Sequence, residues 1–308
     1  MALIGHTATI GTTDRRDGTM KMRAMVASVL LVALVASLAL PSWSGNARSV
    51  RKQVESSVRL SGTVVIGSDG TVQAHELEPG AQLTPKIEDF IARSLATWRF
   101  EPVKVNGEVV RARVPMSLRL VAKREGDEGN FNVRIASAHF GSENPAAESD
   151  WLTKAELQPP HYPAAAARLG ASGIAYLIVR VGPDGRVMNV AAEQVNLFVL
   201  GSSEQVKAIR EEFADAGIRA ARKWTFRPPT TGPYVDHDSW LVRVPVEFRM
   251  VGDRRPKPGE WEAYVAGPRN MDMPWAHEQL KTAGSPDALP DAGVYPLRQG
   301  ATLLTPLG

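Results

Sequence analysis

Between residues 240 and 249 apolar and polar side chains alternate without a break. Trp240, Val242, Val244, Val246 and Phe248 fall on one side, and Leu241, Arg243, Pro245, Glu247 and Arg249 on the other. Period two with one apolar face predicts a strand whose sheet packs against helix on one side only. Upstream, Val206, Ile209, Phe213, Ala216, Ala220 and Trp224 recur at spacings of three and four, which is one face of a helix. Ser202 and Gln205 stand at capping-box spacing ahead of it, and Pro228-Pro229 forbids its continuation. Apolar runs at 174–181 and from 187 flank Pro183-Asp184-Gly185, the pattern of a hairpin. Before them Tyr162-Pro163 opens a short helix that Gly170 stops.

The first half follows the same plan. A strand at 58–66, an Asp69-Gly70 turn and a strand at 72–77 precede a helix that starts at Thr84-Pro85, with Ile87, Ile91, Leu95 and Trp98 on its apolar face. Asn106-Gly107 then turns into an alternating strand at 110–120, with Arg111, Arg113 and Arg119 expected on a solvated side, and a short strand at 132–136 extends the sheet. Trp98-Arg99-Phe100-Glu101-Pro102 returns as Trp224-Thr225-Phe226-Arg227-Pro228, and Arg113-Val114-Pro115 as Arg243-Val244-Pro245. Landmarks repeated in one order predict a duplicated module. The expected fold class is therefore α+β: two tandem small modules, each an antiparallel sheet with helices packed on one face. Trp98, Phe100, Trp224 and Phe226, at helix ends on apolar faces, are expected to anchor the two cores. Proline inside a strand predicts that each module ends in an edge strand, and an open edge is where an extended peptide adds as a strand.

Composition changes the picture at the chain's start. Lys21 and Arg23 precede an apolar run at 24–40, followed by Pro41 and the small residues Gly45-Asn46-Ala47. That order predicts an export signal over 1–47, and the run is shorter than the roughly 20 residues a spanning helix needs. An uncleaved segment would instead tie the protein to the inner membrane. The divisions expected downstream are a module at 48–140, a linker at 141–155, a module at 156–252 and a Pro/Gly-rich tail at 253–308 lying on the second module. Without residues 1–47 the net charge falls from +3 to +1, from 32 basic and 31 acidic residues, which leaves no electrostatic footprint for nucleic acid.

Candidate chemistry is sparse. The chain has no cysteine, which excludes disulfides and thiol catalysis. Asp236-His237-Asp238 is the one local cluster of ligating groups, and no partner at helical spacing supports it as a metal or hydrolase centre. Phosphate loops, dinucleotide fingerprints and nucleophile elbows are absent from the sequence. A non-enzymatic binding protein with no cofactor, no metal and no catalytic residue is expected.

One family carries the landmarks of the second half. Pro160-His161-Tyr162-Pro163, Gly173, Gly182-Pro183-Asp184-Gly185-Arg186-Val187, Ala220-Ala221-Arg222-Lys223-Trp224-Thr225-Phe226-Arg227-Pro228 and Val244-Pro245-Val246-Glu247-Phe248 resemble, in order and spacing, the carboxy-terminal domain of TonB, the periplasmic energy transducer of Gram-negative bacteria. Residues 58–120 resemble it more weakly. The resemblance implies a periplasmic module that pairs with a peptide of an outer-membrane TonB-dependent receptor. It points to Gln158, Pro159, Tyr162 and Pro163, and to Arg243, Val244, Val246 and Phe248, as the partner-binding residues. The chain lacks the long Pro/Lys/Glu-rich spacer of the transducers, its 22 prolines being dispersed. An envelope scaffold with another partner and no transport role is the alternative on the same fold.

Overall fold

A computed structural model describes residues 55–80, 83–105, 107–125, 130–141, 148–257, 259–290, 292–297 and 300–307. The export signal read at 1–47 lies outside the described residues. Among the described residues no helix is long and apolar enough to cross a membrane.

The first unit runs β1 (Glu55–Ile66), β2 (Val72–Leu77), helix α1 (Pro85–Thr97), a small hairpin of β3 (Lys104–Val105) and β4 (Glu108–Val109), then β5 (Ala112–Glu125) and β6 (Asn130–Phe140). β1 is antiparallel to β5 along its length, β6 lies beyond β5, and β2 pairs with the far half of β1. Ile91 and Leu95 of α1 pack with Val58, Leu60, Leu118 and Leu120 of the sheet, and Trp98, Phe100 and Phe140 close this core edge to face.

The second unit runs β7 (Thr153–Glu156), helix α2 (Ala164–Arg168), β8 (Gly173–Val181), β9 (Val187–Leu197), helix α3 (Ser203–Ala221), β10 (Thr225–Arg227) and β11 (Trp240–Phe248). Both halves of the capping box form at α3: Gln205 N donates to Ser202 Oγ, and Ser202 N to Gln205 Oε1. β8 stands between β9 and β11, all antiparallel. Val206, Ile209, Phe213 and Ala216 of α3 are buried toward it, so the helical face read from the sequence is the one that packs.

The two units use the same joint. Gly70 and Gly185 adopt φ of 78° and 76°. Asp69 Oδ1 accepts from Thr71 N, and Asp184 Oδ1 from Arg186 N, each at 3.0 Å. The Gly70 carbonyl then receives Phe100 N at 2.9 Å, as the Gly185 carbonyl receives Phe226 N at 2.8 Å. A Cβ on either glycine would fall on the carbonyl oxygen of that phenylalanine. Positive φ and the close approach both require glycine there. The Trp-x-Phe motif thus clamps the hairpin turn to the end of the helix in each unit.

Three sequence expectations are corrected. The strand carrying Pro115 is not an edge: β5 is paired on both sides from Met116 onward. The Pro115 carbonyl accepts from Gly141 N just where β6 ends, so the missing N–H lies beyond the ladder. Arg119 is not solvated but 1% exposed. The second sheet is not covered on one side only, since described residues of the tail pack on its other face and on the first sheet too. Met273, Ala276 and Leu280, the last on helix α4 (His277–Thr282), cover Ile178, while Leu289 and Tyr295 cover Ile174 and Tyr176. β12 (Glu262–Tyr264) extends β1, and β13 (Tyr295–Pro296) lies against β11.

A polar layer ties this tail to both sheets. The Asp287 carbonyl accepts from Arg119 Nε at 2.9 Å, and Arg119 Nη1 donates to Ser57 Oγ. The Asp287 carboxylate accepts from Gln194, Asn196 and the Tyr264 hydroxyl. Buried polar groups are tolerable when partnered in this way. His139 is less well provided: its ring meets Tyr295 edge-on, and its Nε2 has no hydrogen-bond partner among the described residues. Burial, with the nearby Arg243 charge, pushes its pKa down from 6.5 to about 4. Folding keeps this ring neutral, so its contribution is complete above pH 6.5 and declines as pH falls through that window toward 4. We expect a loss on the order of 2 kcal/mol across it, allowing for partial exposure. Denaturant unfolding of wild type and His139→Gln at pH 7 and pH 4.5 measures this; equal losses in the two proteins would remove His139 as the cause.

Candidate functional site

The segment ahead of α2 runs along α3 from its end toward its middle. At one end the Gln158 carbonyl accepts from Trp224 Nε1 at 2.8 Å, so a buried ring holds an exposed stretch of backbone in place. The Gln158 side chain is exposed and donates to Glu156 Oε1, and Pro159 is exposed beside it. At the other end Tyr162 is half-buried. Its ring stands edge-on to Phe213 and Phe248, 5.8 and 6.0 Å between centroids, and those two rings stack at 4.3 Å. The Tyr162 hydroxyl donates to the Ala171 carbonyl. Burial, with Asp253 adding to it, pushes that hydroxyl up to about 12. Tyr162 and Pro163 fasten the segment, while Gln158 and Pro159 present it.

The structure brings Tyr162 and Phe248 together and places the other strand residues in the interior. Val244, Val246 and Phe248 are buried. Arg243 is buried as well: its guanidinium meets Glu193 through two hydrogen bonds of 2.7 and 2.8 Å and donates to the Gly284 carbonyl. Glu193 also accepts from Arg269 Nε at 2.7 Å. Burial lowers the Arg243 pKa, against the pull of Glu193.

Among the described residues the outer edge of β11 is paired at one end only, and Pro245 beyond that pairing is buried. The Leu241 carbonyl accepts from Leu297 N, and the ladder with β13 takes in Val242 and Arg243 and stops there. Backbone groups alternate sides along an antiparallel strand, so residues 241, 243, 245 and 247 face outward and Val246 faces β8. Proline at 245 therefore sits where its missing donor disturbs no β8 bond. Past Phe248, at the end of the sheet where β8 begins and β9 ends, lies a cleft of about 330 Å³ whose walls include Phe198, Arg249, Trp261 and Glu262. Arg249 lies over the Phe198 ring at 4.6 Å and is paired with Glu247 and Glu262.

Residues 158–250 match the family described as Gram-negative bacterial TonB protein C-terminal. This stretch is similar to the carboxy-terminal domain of TonB. Two curated relatives, each named Protein TonB and from two strains of Xanthomonas campestris pv. campestris, are 35% identical over 100 residues. The aligned part is 32% of this chain and 38% of theirs, so the chain spans well under half the length of the relatives it matches. No solved structure matches the chain. The matched residues hold the exposed Gln158-Pro159, the Trp224 clamp and the β11 edge on one continuous stretch of sequence.

Asp236, His237 and Asp238 remain a local turn, where the His237 ring meets Tyr234 edge-on. Among the described residues no three His, Asp or Glu side chains gather as metal ligands would. What the sequence reading missed is the set that holds the tail: Glu193, Arg269, Tyr264 and Asp287. One signal was available, a lone glutamate or arginine between apolar neighbours, as in Leu118-Arg119-Leu120. Such a residue marks a strand with both faces covered.

Proposed function

We propose that this chain is a non-enzymatic protein of the Gram-negative envelope, transport-related and periplasmic, whose TonB domain captures an extended peptide by strand addition. The partner class is an outer-membrane TonB-dependent receptor. The observation that carries the reading is the family match over 158–250 together with an exposed Gln158-Pro159 held by the domain's own Trp224. The outer edge of β11 beyond Arg243 is the pairing surface. The module limits read from the sequence, including a first module over 48–140, belong to the same proposal.

Photo-crosslinking in cells from a benzophenone amino acid at position 158, with mass spectrometry of the adduct, tests it. The expected adduct is an outer-membrane receptor. Adducts confined to other proteins would favour the scaffold alternative and retire the transport role. The edge itself is tested by Glu247→Pro, which removes an outward N–H together with the carboxylate that pairs with Arg249, against Glu247→Ala, which removes the carboxylate alone and should keep the adduct, whereas Val246→Pro would break the β8 ladder and the fold with it. Loss of the adduct is expected in a Glu247→Pro protein that still unfolds cooperatively; an undiminished adduct would move the contact off this edge.

A further inference from the structure

The Trp-x-Phe strand has two sides in each unit. One side grips the hairpin turn as described. In the second unit the other side is taken by β7, which pairs antiparallel with β10 from just ahead of its own domain. In the first unit the matching side is taken by a distant segment. Glu101 N donates to the Thr302 carbonyl at 3.0 Å, and Leu304 N to the Arg99 carbonyl at 2.8 Å. Phe100 stands antiparallel opposite Leu303, and Arg99 N donates to Thr305 Oγ1 at 2.8 Å across 206 residues of chain. One edge thus receives a strand from upstream in one unit and from far downstream in the other.

The occupant of the first slot is lightly held. Ala301, Leu303, Thr305 and Leu307 are half-buried, alternating with exposed Thr302, Leu304 and Pro306. Ala301, Leu303 and Leu307 rest against the first core without being enclosed by it, and Leu304 leaves 57% of its surface in water. Two backbone hydrogen bonds and the one to Thr305 Oγ1, about 1 kcal/mol net each, with a few half-covered side chains, make a weak grip. Attachment in cis makes it sufficient, because the tether supplies a high effective concentration. The segment enters past Gly300, whose φ is +106° and where a Cβ would fall on the Phe140 carbonyl oxygen.

We propose that the Arg99–Phe100 edge is a second strand-capture slot, closed in cis by residues 300–307, and that an extended peptide of a partner protein takes their place. The pattern it selects is that of the present occupant: apolar side chains at the positions of Ala301, Leu303 and Leu307, and a hydroxyl at that of Thr305. This slot lies in the first unit and shares no residue with the pairing surface proposed on β11, so either reading can fail without the other.

The test uses the full chain and a fluorescein-labelled synthetic peptide of residues 300–307, followed by anisotropy. Gly300→Val should dislodge the cis segment and leave every slot residue in place. The variant is expected to bind the peptide on the order of 100-fold more tightly than wild type, whose slot is already filled in cis. A peptide carrying Leu303→Asp should bind the same variant at least about tenfold more weakly, because a carboxylate would replace the side chain lying on the core. Leu303→Asp in the full chain, at a half-exposed position, opens the slot by a second route. A folded variant that takes up the peptide no better than wild type overturns the proposal. Unfolding of both variants would make 300–307 an obligatory core strand, and overturns it equally.

Discussion

Glu193→Ala is expected to destabilise the protein by on the order of 3–5 kcal/mol, because it leaves two guanidinium groups without their shared counter-charge. Glu193 is 0% exposed and accepts from both Arg243 and Arg269. The two arginines also donate to the carbonyls of Gly284 and Ala283, so they cannot swing into water without releasing the tail. The damage should be local before it is global. Protease cleavage within 267–290 should appear in the variant while the second sheet and α3 still resist. A melting temperature lower by on the order of 10 °C is the expected global reading. Glu193→Gln separates charge from shape: it keeps the volume and should recover little of the loss. Replacing all three residues together by Met and Leu should recover most of it, since well-packed apolar groups often equal or exceed a buried ion pair. Wild-type stability in Glu193→Ala would mean that water reaches the arginines and that this triad does not hold the tail.

That triad marks the limit of what periodicity could reveal. Elements whose pattern is local were legible: the α3 face, the capping box, both Asp-Gly turns and the alternating strand at 240–248 follow from spacing alone. Arg243 shows where periodicity stops being informative. It sits on the polar side of an alternating strand, and polar usually means solvated; here that side meets a covering layer from a tail with little periodicity of its own. Among the described residues of 252–307 the elements are short, β12, α4, a 3-10 turn at Pro286–Ala288 and β13, and their hold comes from side chains such as Tyr264, Arg269 and Asp287 reaching distant partners. Long-range polar contacts leave no repeat for a sequence reading to find. The candidate site divides the same way. Gln158 and Pro159 emerge exposed, because a resemblance over a continuous stretch carries local geometry. Val244, Val246 and Phe248 are interior, and the tail's approach to the β11 edge could not be read from that stretch.

The recurring Trp-x-Phe joint gives the second large prediction, because Trp224 serves fold and candidate site at once. The side chain is 3% exposed at the end of α3, so Trp224→Ala should cost about 3–5 kcal/mol through lost burial and the cavity it leaves. Trp98→Ala, at the matching position of the first unit and equally buried, should cost a similar amount. The two tryptophans differ in one bond that matters for function. Trp224 Nε1 donates to the Gln158 carbonyl, whereas Phe100 and Phe140 surround Trp98 edge-on. Trp224→Phe keeps most of the apolar area and removes that donor, so it should lose much less stability than alanine, with about 1 kcal/mol from the hydrogen bond. It should also loosen the 157–160 backbone, seen as faster amide exchange there, and weaken crosslinking from position 158. Trp98→Phe should leave that crosslink unchanged. A Trp224→Phe protein with wild-type exchange and crosslinking would show that the tryptophan only fills the core, and that Gln158 is positioned by Tyr162 and α2 alone.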